Sequence, residues 1–285
     1  MLKKVVVTAA GLGTRLLPTT KELPKEMLPI YVKGSNGQVV LKPLLQALYE
    51  QLYEFGFREF CFVVGRGKRA IEDHFTPDWD FVDKLEKMGK SSTTSDLVSF
   101  YRMVEDSVMV WVSQNSPRGF GDAVRTARHF VGDEDFLLCA GDTYIVSEKH
   151  RFLQRLLSVK VDGATLLVQQ VDDPRQYGVV VGRPRTGNTL LVSRVVEKPA
   201  NPPSNLAIMP FYVFTPLIMR AIDATVVGVG GELQLTDAIQ NMIDGGAEVA
   251  AVRLEDYELR LDIGTPESYL HALTSSYSSL LGERL

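Results

Sequence analysis

"KVVVTAAGLGTRLLPTTKELPKEMLP", Lys4 to Pro29, reads as a buried strand that runs into a glycine turn and then into a cationic, proline-rich loop. The apolar run Lys4–Ala9 has strand length and no polar interruption beyond Thr8, as expected of a strand covered on both faces. Gly11 and Gly13 let a ligand approach the main chain, and Arg15, Lys21 and Lys25 follow on a loop expected to be extended and stiffened by its prolines. Backbone N–H groups from Gly11 to Thr14, the planar fork of Arg15 and the point charge of Lys25 suit the oxygens of a triphosphate. A solvated cationic turn is the other reading of the same residues.

Two common phosphate motifs are excluded. In Gly11-Leu12-Gly13-Thr14-Arg15-Leu16, leucine stands where a dinucleotide fingerprint has its third glycine, and Tyr31 and Val32 occupy the region where an acid would meet a ribose. Neither this loop nor "GRGKRA" has the spacing of a P-loop.

Outward from this stretch, further apolar runs of strand length appear at Phe60–Val64, Val108–Val112, Phe136–Ala140 and Ala164–Val168. Segments of helical period lie between them at Pro43–Phe55, Lys68–Phe75, Asp122–Phe130 and Lys149–Val159, with Pro43 suited to a first turn. The alternation predicts an α/β fold built on a mainly parallel sheet. After Tyr177 two β-rich runs joined by "RTGN", then a strand in "AIMPFYVF", make that sheet mixed, and helices are expected at Leu235–Asp244 and Pro266–Leu280. The polar stretch Lys87–Phe100 reads as a mobile excursion, and no internal repeat is visible.

The chain has 285 residues, 45% hydrophobic and 23% charged, enough for a sizeable core. A net charge of -4 argues against nucleic acid as a partner, although a local cationic pocket is compatible with it. Cys61 and Cys139 sit in apolar runs and suggest neither disulfides nor zinc. Without a signal sequence or a run of about 18 apolar residues, the expectation is a cytoplasmic protein with no membrane partner.

"GLGTRLLPTTKELPKEMLP" resembles the G-x-G-T-R-(x)n-P-K signature of the sugar-1-phosphate nucleotidyltransferases, and "PKEMLP" resembles their bacterial-type UTP–glucose-1-phosphate uridylyltransferase branch. "IEDHF" (71–75), "GFGDAV" (119–124), "YGVV" with "VEKP" (177–199), and "SNLAI" with "GELQLTDAI" (204–239) agree in order and spacing. The resemblance implies one Rossmann-like nucleotidyltransferase domain over residues 1–285, with helices flanking the sheet and no C-terminal β-helix. It implies an enzyme that condenses UTP with glucose 1-phosphate to UDP-glucose and pyrophosphate, and a homo-oligomer, dimer or tetramer.

By position, the resemblance puts Ala10, Gly11, Gly13 and Thr14 on the nucleotide, Arg15 and Lys25 on its phosphates, and Gln114 and Gly119 on the uracil edge. It puts Gly178, Glu197 and Lys198 on the sugar phosphate, and Asp142 and Asp262 on Mg²⁺. Pro210 stands where the family usually has glycine, and "CAGDTYIV" (139–146) follows the generic family wording, so the floor of the sugar pocket is expected to differ.

The residues carry their own readings. Asp142 follows a buried strand, where ligands bind in open α/β sheets, but an aspartate after glycine also caps turns. Asp262, before a helix opened by Thr265 and Pro266, has the same two readings. Alternation sends Glu197 and Lys198 to opposite faces, and a bulged strand end would bring both to one pocket; the alternative is a solvated pair. Glu232 is a sugar ligand or the N-terminal charge of the next helix. The four histidines show no ligand spacing, and no serine or cysteine is placed as a nucleophile. Direct displacement at the α-phosphorus is therefore expected, with Arg15, Lys25, Lys198 and the metal neutralising charge. A thymidylyltransferase on the same sugar phosphate, a non-catalytic sugar-nucleotide sensor and a nicotinamide oxidoreductase are the competing classes; the complete set of charged site residues and the missing third glycine speak against the last two.

Overall fold

The computed structural model describes residues 2–228 and 231–282. The chain opens with β1 (Lys4–Ala9). The loop beyond the glycines is not extended as expected but coils into three single 3-10 turns, Thr14–Leu16, Thr19–Lys21 and Lys25–Met27. Burial drives the folding back: Leu16 and Leu28 join Ile30, Leu44, Leu261 and Ile263 in a satellite core beside the main one. A hairpin of β2 (Pro29–Lys33) and β3 (Val39–Pro43) follows. Pro43 thus ends a strand and precedes α1 (Leu44–Phe55) rather than sitting in its first turn.

Next come β4 (Glu59–Val64), α2 (Arg69–His74), α3 (Trp79–Lys87) and α4 (Ser91–Glu105). The last two overturn the expected excursion at Lys87–Phe100. Polar as it is, this segment places Phe100 against Tyr49, His74 and Phe75, and that tertiary contact decides for helix where the sequence pattern is weak. The chain continues through β5 (Val108–Ser113), α5 (Phe120–Thr126), α6 (Arg128–Val131), β6 (Phe136–Ala140), β7 (Thr143–Val146), α7 (Arg151–Ser158) and β8 (Ala164–Gln170). It ends with β9 (Gly178–Pro184), β10 (Thr189–Glu197), β11 (Leu206–Phe214), α8 (Leu217–Ala224), α9 (Leu235–Asp244), β12 (Val249–Arg253), β13 (Leu259–Asp262) and α10 (Pro266–Leu281).

Among the described residues, nine strands form one mixed sheet in the order β5-β4-β1-β6-β11-β8-β12-β10-β9. Its first four strands are parallel, so their carboxyl ends share one edge. Beyond β6 the pairings are mostly antiparallel, and only β12 and β8 run together. On β1, Val5, Val7 and Ala9 enter one core and Val6 the other; on β4, Phe60, Phe62 and Val64 part likewise from Cys61 and Val63. Burial on both faces explains the uninterrupted apolar runs. Both cysteines are free and buried, and burial pushes the Cys61 thiol up to about 12. Pro210 sits where the register of β11 against β8 slips between Met209 and Tyr212, a place where a residue without N–H does not interrupt a ladder.

Candidate active site

Two adjoining hollows of about 430 and 900 Å³ lie over the shared carboxyl edge. Both are walled by Gly11 to Thr14, Lys25, Asp142 and Glu232, so they form two arms of one cleft. The smaller arm adds Ala10, Gln114, Gly119 and Phe120; the larger adds Arg15, Tyr177, Asp262 and Ser268. A separate hollow of about 450 Å³ near α1 and α10 holds none of the sequence candidates, and its Lys42, Glu50 and Asp96 pair with one another. No histidine lines either arm of the cleft.

In the smaller arm Gly13 has a left-handed φ of 66° and holds Thr20 through its carbonyl, which accepts from Thr20 Oγ1 at 2.7 Å. Gly119, at the entrance to α5, has a φ of 103°, and a Cβ there would lie 2.7 Å from the Leu233 carbonyl. Only glycine lets the two loops close on each other. Gln114 Nε2 donates to the Gly119 carbonyl at 3.2 Å and to Asp122 Oδ2 at 2.9 Å.

Where the arms meet, the Lys25 ammonium is ion-paired with Asp142 Oδ2. Burial pulls the Lys25 pKa down, but Asp142, Glu26 and Asp262 outweigh it and hold it above the ordinary value. Asp142 follows β6 and precedes β7, whose ladder with β13 pairs Thr143 with Asp262. Burial and then the Asp142 charge raise the Asp262 carboxyl above the usual range. Behind Lys25, Glu26 and Lys68 form a buried ion pair at 2.7 Å.

Beyond the Tyr177 wall Glu197 pairs across the ladder with Gly178, and its Oε2 accepts from Thr236 Oγ1 at 2.6 Å. A Cβ on Gly178 would lie 2.8 Å from that hydroxyl and 3.1 Å from the carboxylate, so the pair needs glycine there. The expected bulge at the strand end is absent: β10 bulges earlier, between Val192 and Arg194, and the chain turns at Lys198 with a φ of 38°. The turn, locked by Lys198 N donating to the Tyr177 carbonyl at 3.0 Å, still leaves Lys198 Nζ 3.5 Å from Glu197 Oε1. Gly178, Glu197 and Lys198 are not among the residues that wall the two arms; they adjoin Tyr177, which is, Gly178 by following it and Lys198 through its main-chain bond. Glu232 lies ahead of α9, which begins at Leu235, and accepts from Gln234 Nε2 at 2.9 Å.

Three contributors escaped the sequence reading. Glu26 is flanked by the conspicuous lysine of "PKEMLP", Asp122 reads as an ordinary first-turn acid of α5, and Arg260 donates to the Tyr177 hydroxyl at 3.1 Å from 83 positions away. An acid beside a glycine pair was the one available signal, for Asp122.

Two carboxylates, Asp142 just ahead of β7 and Asp262 at the end of β13, with Lys25 on the first and Arg260 4.0 Å from the second, are a pair of hard-oxygen donors at the junction. That suits a divalent cation whose remaining positions are filled by phosphate oxygens and water. Among the described residues no cluster of three or more His, Cys, Asp or Glu gathers to hold an ion without such help.

The nucleotidyl transferase family model matches residues 4–278. The chain is 37% identical to a UTP–glucose-1-phosphate uridylyltransferase of Bacillus subtilis, over 92% of this chain and 87% of the relative. It is 34% identical to one of Pseudomonas aeruginosa, over 98% of each. Among solved structures, a UDP-glucose pyrophosphorylase complexed with UDP-glucose superposes with a TM-score of 0.81 at 29% identity, covering 98% of this chain and all of that one. A UTP-bound enzyme of the same kind from Acinetobacter baumannii gives 0.80 at 29% identity, covering 98% and 94%.

Proposed function

This chain belongs to the nucleotidyl transferase family, and from that premise we propose that it transfers the uridylyl group of UTP to glucose 1-phosphate, releasing pyrophosphate. The observation that carries the reading is the two-armed cleft with Lys25 and Asp142 at its junction. A uridine in the smaller arm, over the carboxyl ends of the Rossmann-like parallel half, directs its phosphates to that junction. The sugar phosphate enters through the larger arm.

A phosphate oxygen of the sugar attacks the α-phosphorus in line; that P–O bond forms as the bond to the bridging oxygen of the β-phosphate breaks, and pyrophosphate carries the electron pair away. The attacking phosphate is ionised at neutral pH, so no general base is required. Arg15 and Lys25 offset charge on the triphosphate, and Lys198 holds the sugar's phosphate. Glu197, oriented by Thr236, accepts from sugar hydroxyls, and Glu232, on the wall shared by both arms, is a second carboxylate for the sugar. Main-chain groups of Ala10, Gly11, Gly13 and Thr14 cradle the nucleotide, and Gly178 leaves the room that Glu197 needs. Asp142 and Asp262 would hold Mg²⁺, which supplies charge neutralisation on the phosphates when bound.

No described helix is long and apolar enough to cross a membrane, and both thiols are free, which supports a cytoplasmic setting. Exposed Leu270, Tyr277 and Leu281 along α10 support a homo-oligomer of single-domain chains spanning residues 1–285. The test is pyrophosphate release from each nucleoside triphosphate with glucose 1-phosphate and Mg²⁺: UTP is expected to give the highest kcat/KM, and a tenfold preference for dTTP would overturn the uridylyl assignment.

A further inference from the structure

An amide side chain offers a ligand either an oxygen or an NH₂, and a half-turn of its last bond exchanges them. Gln114 has lost that choice. Its Nε2 is engaged by Asp122 Oδ2 and by the Gly119 carbonyl, two groups that only accept, which leaves Oε1 as the atom for a ligand in the smaller arm. Asp122 is in turn fixed as an anion: its Oδ1 accepts from Arg125 Nη2 at 2.6 Å and lies 3.3 Å from Arg118 Nη2, while the side chain is almost wholly buried.

We propose that Asp122 is a positioning residue that sets nucleobase choice by locking Gln114 with its oxygen toward the base. The proposal rests on the reading of Gln114 and Gly119 as the uracil edge. Uracil presents an N3–H to that oxygen, whereas cytosine presents the bare N3 lone pair, acceptor against acceptor. A polar mismatch against the buried Gln114 amide discriminates strongly, because its fixed oxygen is left facing a second acceptor.

Asp122→Asn isolates the effect. The two arginines keep the one oxygen that the substituted side chain retains, so its new NH₂ turns to Gln114 and meets another NH₂. The Gln114 amide then loses its fixed orientation.

The measurement is kcat/KM for UTP and for CTP, with glucose 1-phosphate and Mg²⁺, in the unaltered protein, Asp122→Asn, Gln114→Ala and the double variant. The UTP-to-CTP ratio is expected to fall at least tenfold in Asp122→Asn while KM for glucose 1-phosphate stays within twofold. Adding Asp122→Asn to Gln114→Ala is expected to change the ratio less than twofold. Because the ratio is taken within one sample, a reduced folded fraction cancels; Asp122→Ser, whose hydroxyl both donates and accepts and so dictates no orientation, replaces Asp122→Asn if that chain does not fold. An unchanged ratio in the single variant overturns the proposal, as does an undiminished fall in the Gln114→Ala background. If the unaltered protein itself shows no preference for UTP over CTP, the uracil reading fails first and takes the proposal with it.

Discussion

Asp142 and Asp262, 120 positions apart, meet at the head of one two-stranded ladder: Asp262 pairs with Thr143, and Ile263 N donates to the Asp142 carbonyl at 3.1 Å. The ladder is short, but Ile145 and Leu261 within it are fully buried, so the two carboxylates are held by packing as well as by main-chain bonds. One of them is already compensated by Lys25, and the other is held high by burial and by its neighbour.

Groups that serve one ion act as a unit, and their removal is far from additive. Asp142→Asn and Asp262→Asn are each expected to lower kcat steeply and to raise the Mg²⁺ concentration needed for activity, while the double variant is scarcely worse than either. Asp135→Asn, an exposed carboxylate near β6, is the control and is expected to be neutral. Steady-state kinetics across a magnesium titration checks this; multiplicative losses at the two sites would show that they do not share an ion.

Glu197 and Thr236 make a prediction for the sugar side. Glu197→Ala is expected to weaken use of glucose 1-phosphate by about 1–3 kcal/mol, the usual range for a lost buried hydrogen bond, with UTP affinity unchanged. Gly178→Ala is expected to act in the same direction, because its Cβ displaces the Thr236–Glu197 pair. Calorimetry with UTP, set beside KM for the sugar phosphate, separates the two substrates; an equal loss for UTP would remove Glu197 from the sugar site.

Where chemistry is local, the sequence was legible. The strand, the glycine turn and the cations lie in one stretch, and the placing of Gly11 to Thr14, Arg15 and Lys25 on the cleft wall follows from residue type and order, whereas Lys21 lies outside it, exposed and 3.6 Å from Glu22. What escaped depends on distant partners. The hairpin β2–β3 is a pair of five-residue strands with half-exposed positions, too short for alternation to show. The helix α4 is specified by Phe100 docking on α1 and α2 rather than by its polar first turn. Lys198 reaches the side of Glu197 through a left-handed backbone that a lysine seldom adopts, which no strand pattern announces.

His74 is expected to make stability depend on pH. Gln46 Nε2 donates to Glu50, so Gln46 Oε1 faces His74 Nε2 at 2.8 Å and the ring is held as a neutral donor over Phe100. Burial lowers its pKa below the ordinary value near 6.5. Above that value both folded and unfolded chains keep a neutral ring; below it the unfolded chain binds the proton first, and stability falls by at most about 1.4 kcal/mol per pH unit until the folded pKa is reached. Urea midpoints between pH 7.5 and 5.5 are expected to fall more for the unaltered protein than for His74→Gln, which still donates to Gln46. Parallel curves would exclude His74 as the source.

The buried pair of Glu26 and Lys68 underlies the position of Lys25, because it ties the 3-10 turn Lys25–Met27 to the residue preceding α2. Both side chains are nearly inaccessible, and burial raises the Glu26 pKa against the lowering effect of Lys68. Removing one partner leaves a charge that neither water nor protein compensates. Lys68→Met is therefore expected to lose about 3–5 kcal/mol of folding stability. Glu26→Met combined with Lys68→Met removes both charges and fills the space with apolar side chains, so most of that loss is expected to return. Urea denaturation of the two single variants and the double variant completes the cycle. A Lys68→Met protein within about 1 kcal/mol of the parent, or a double variant as unstable as the single, would mean that the pair is not the constraint that holds this turn.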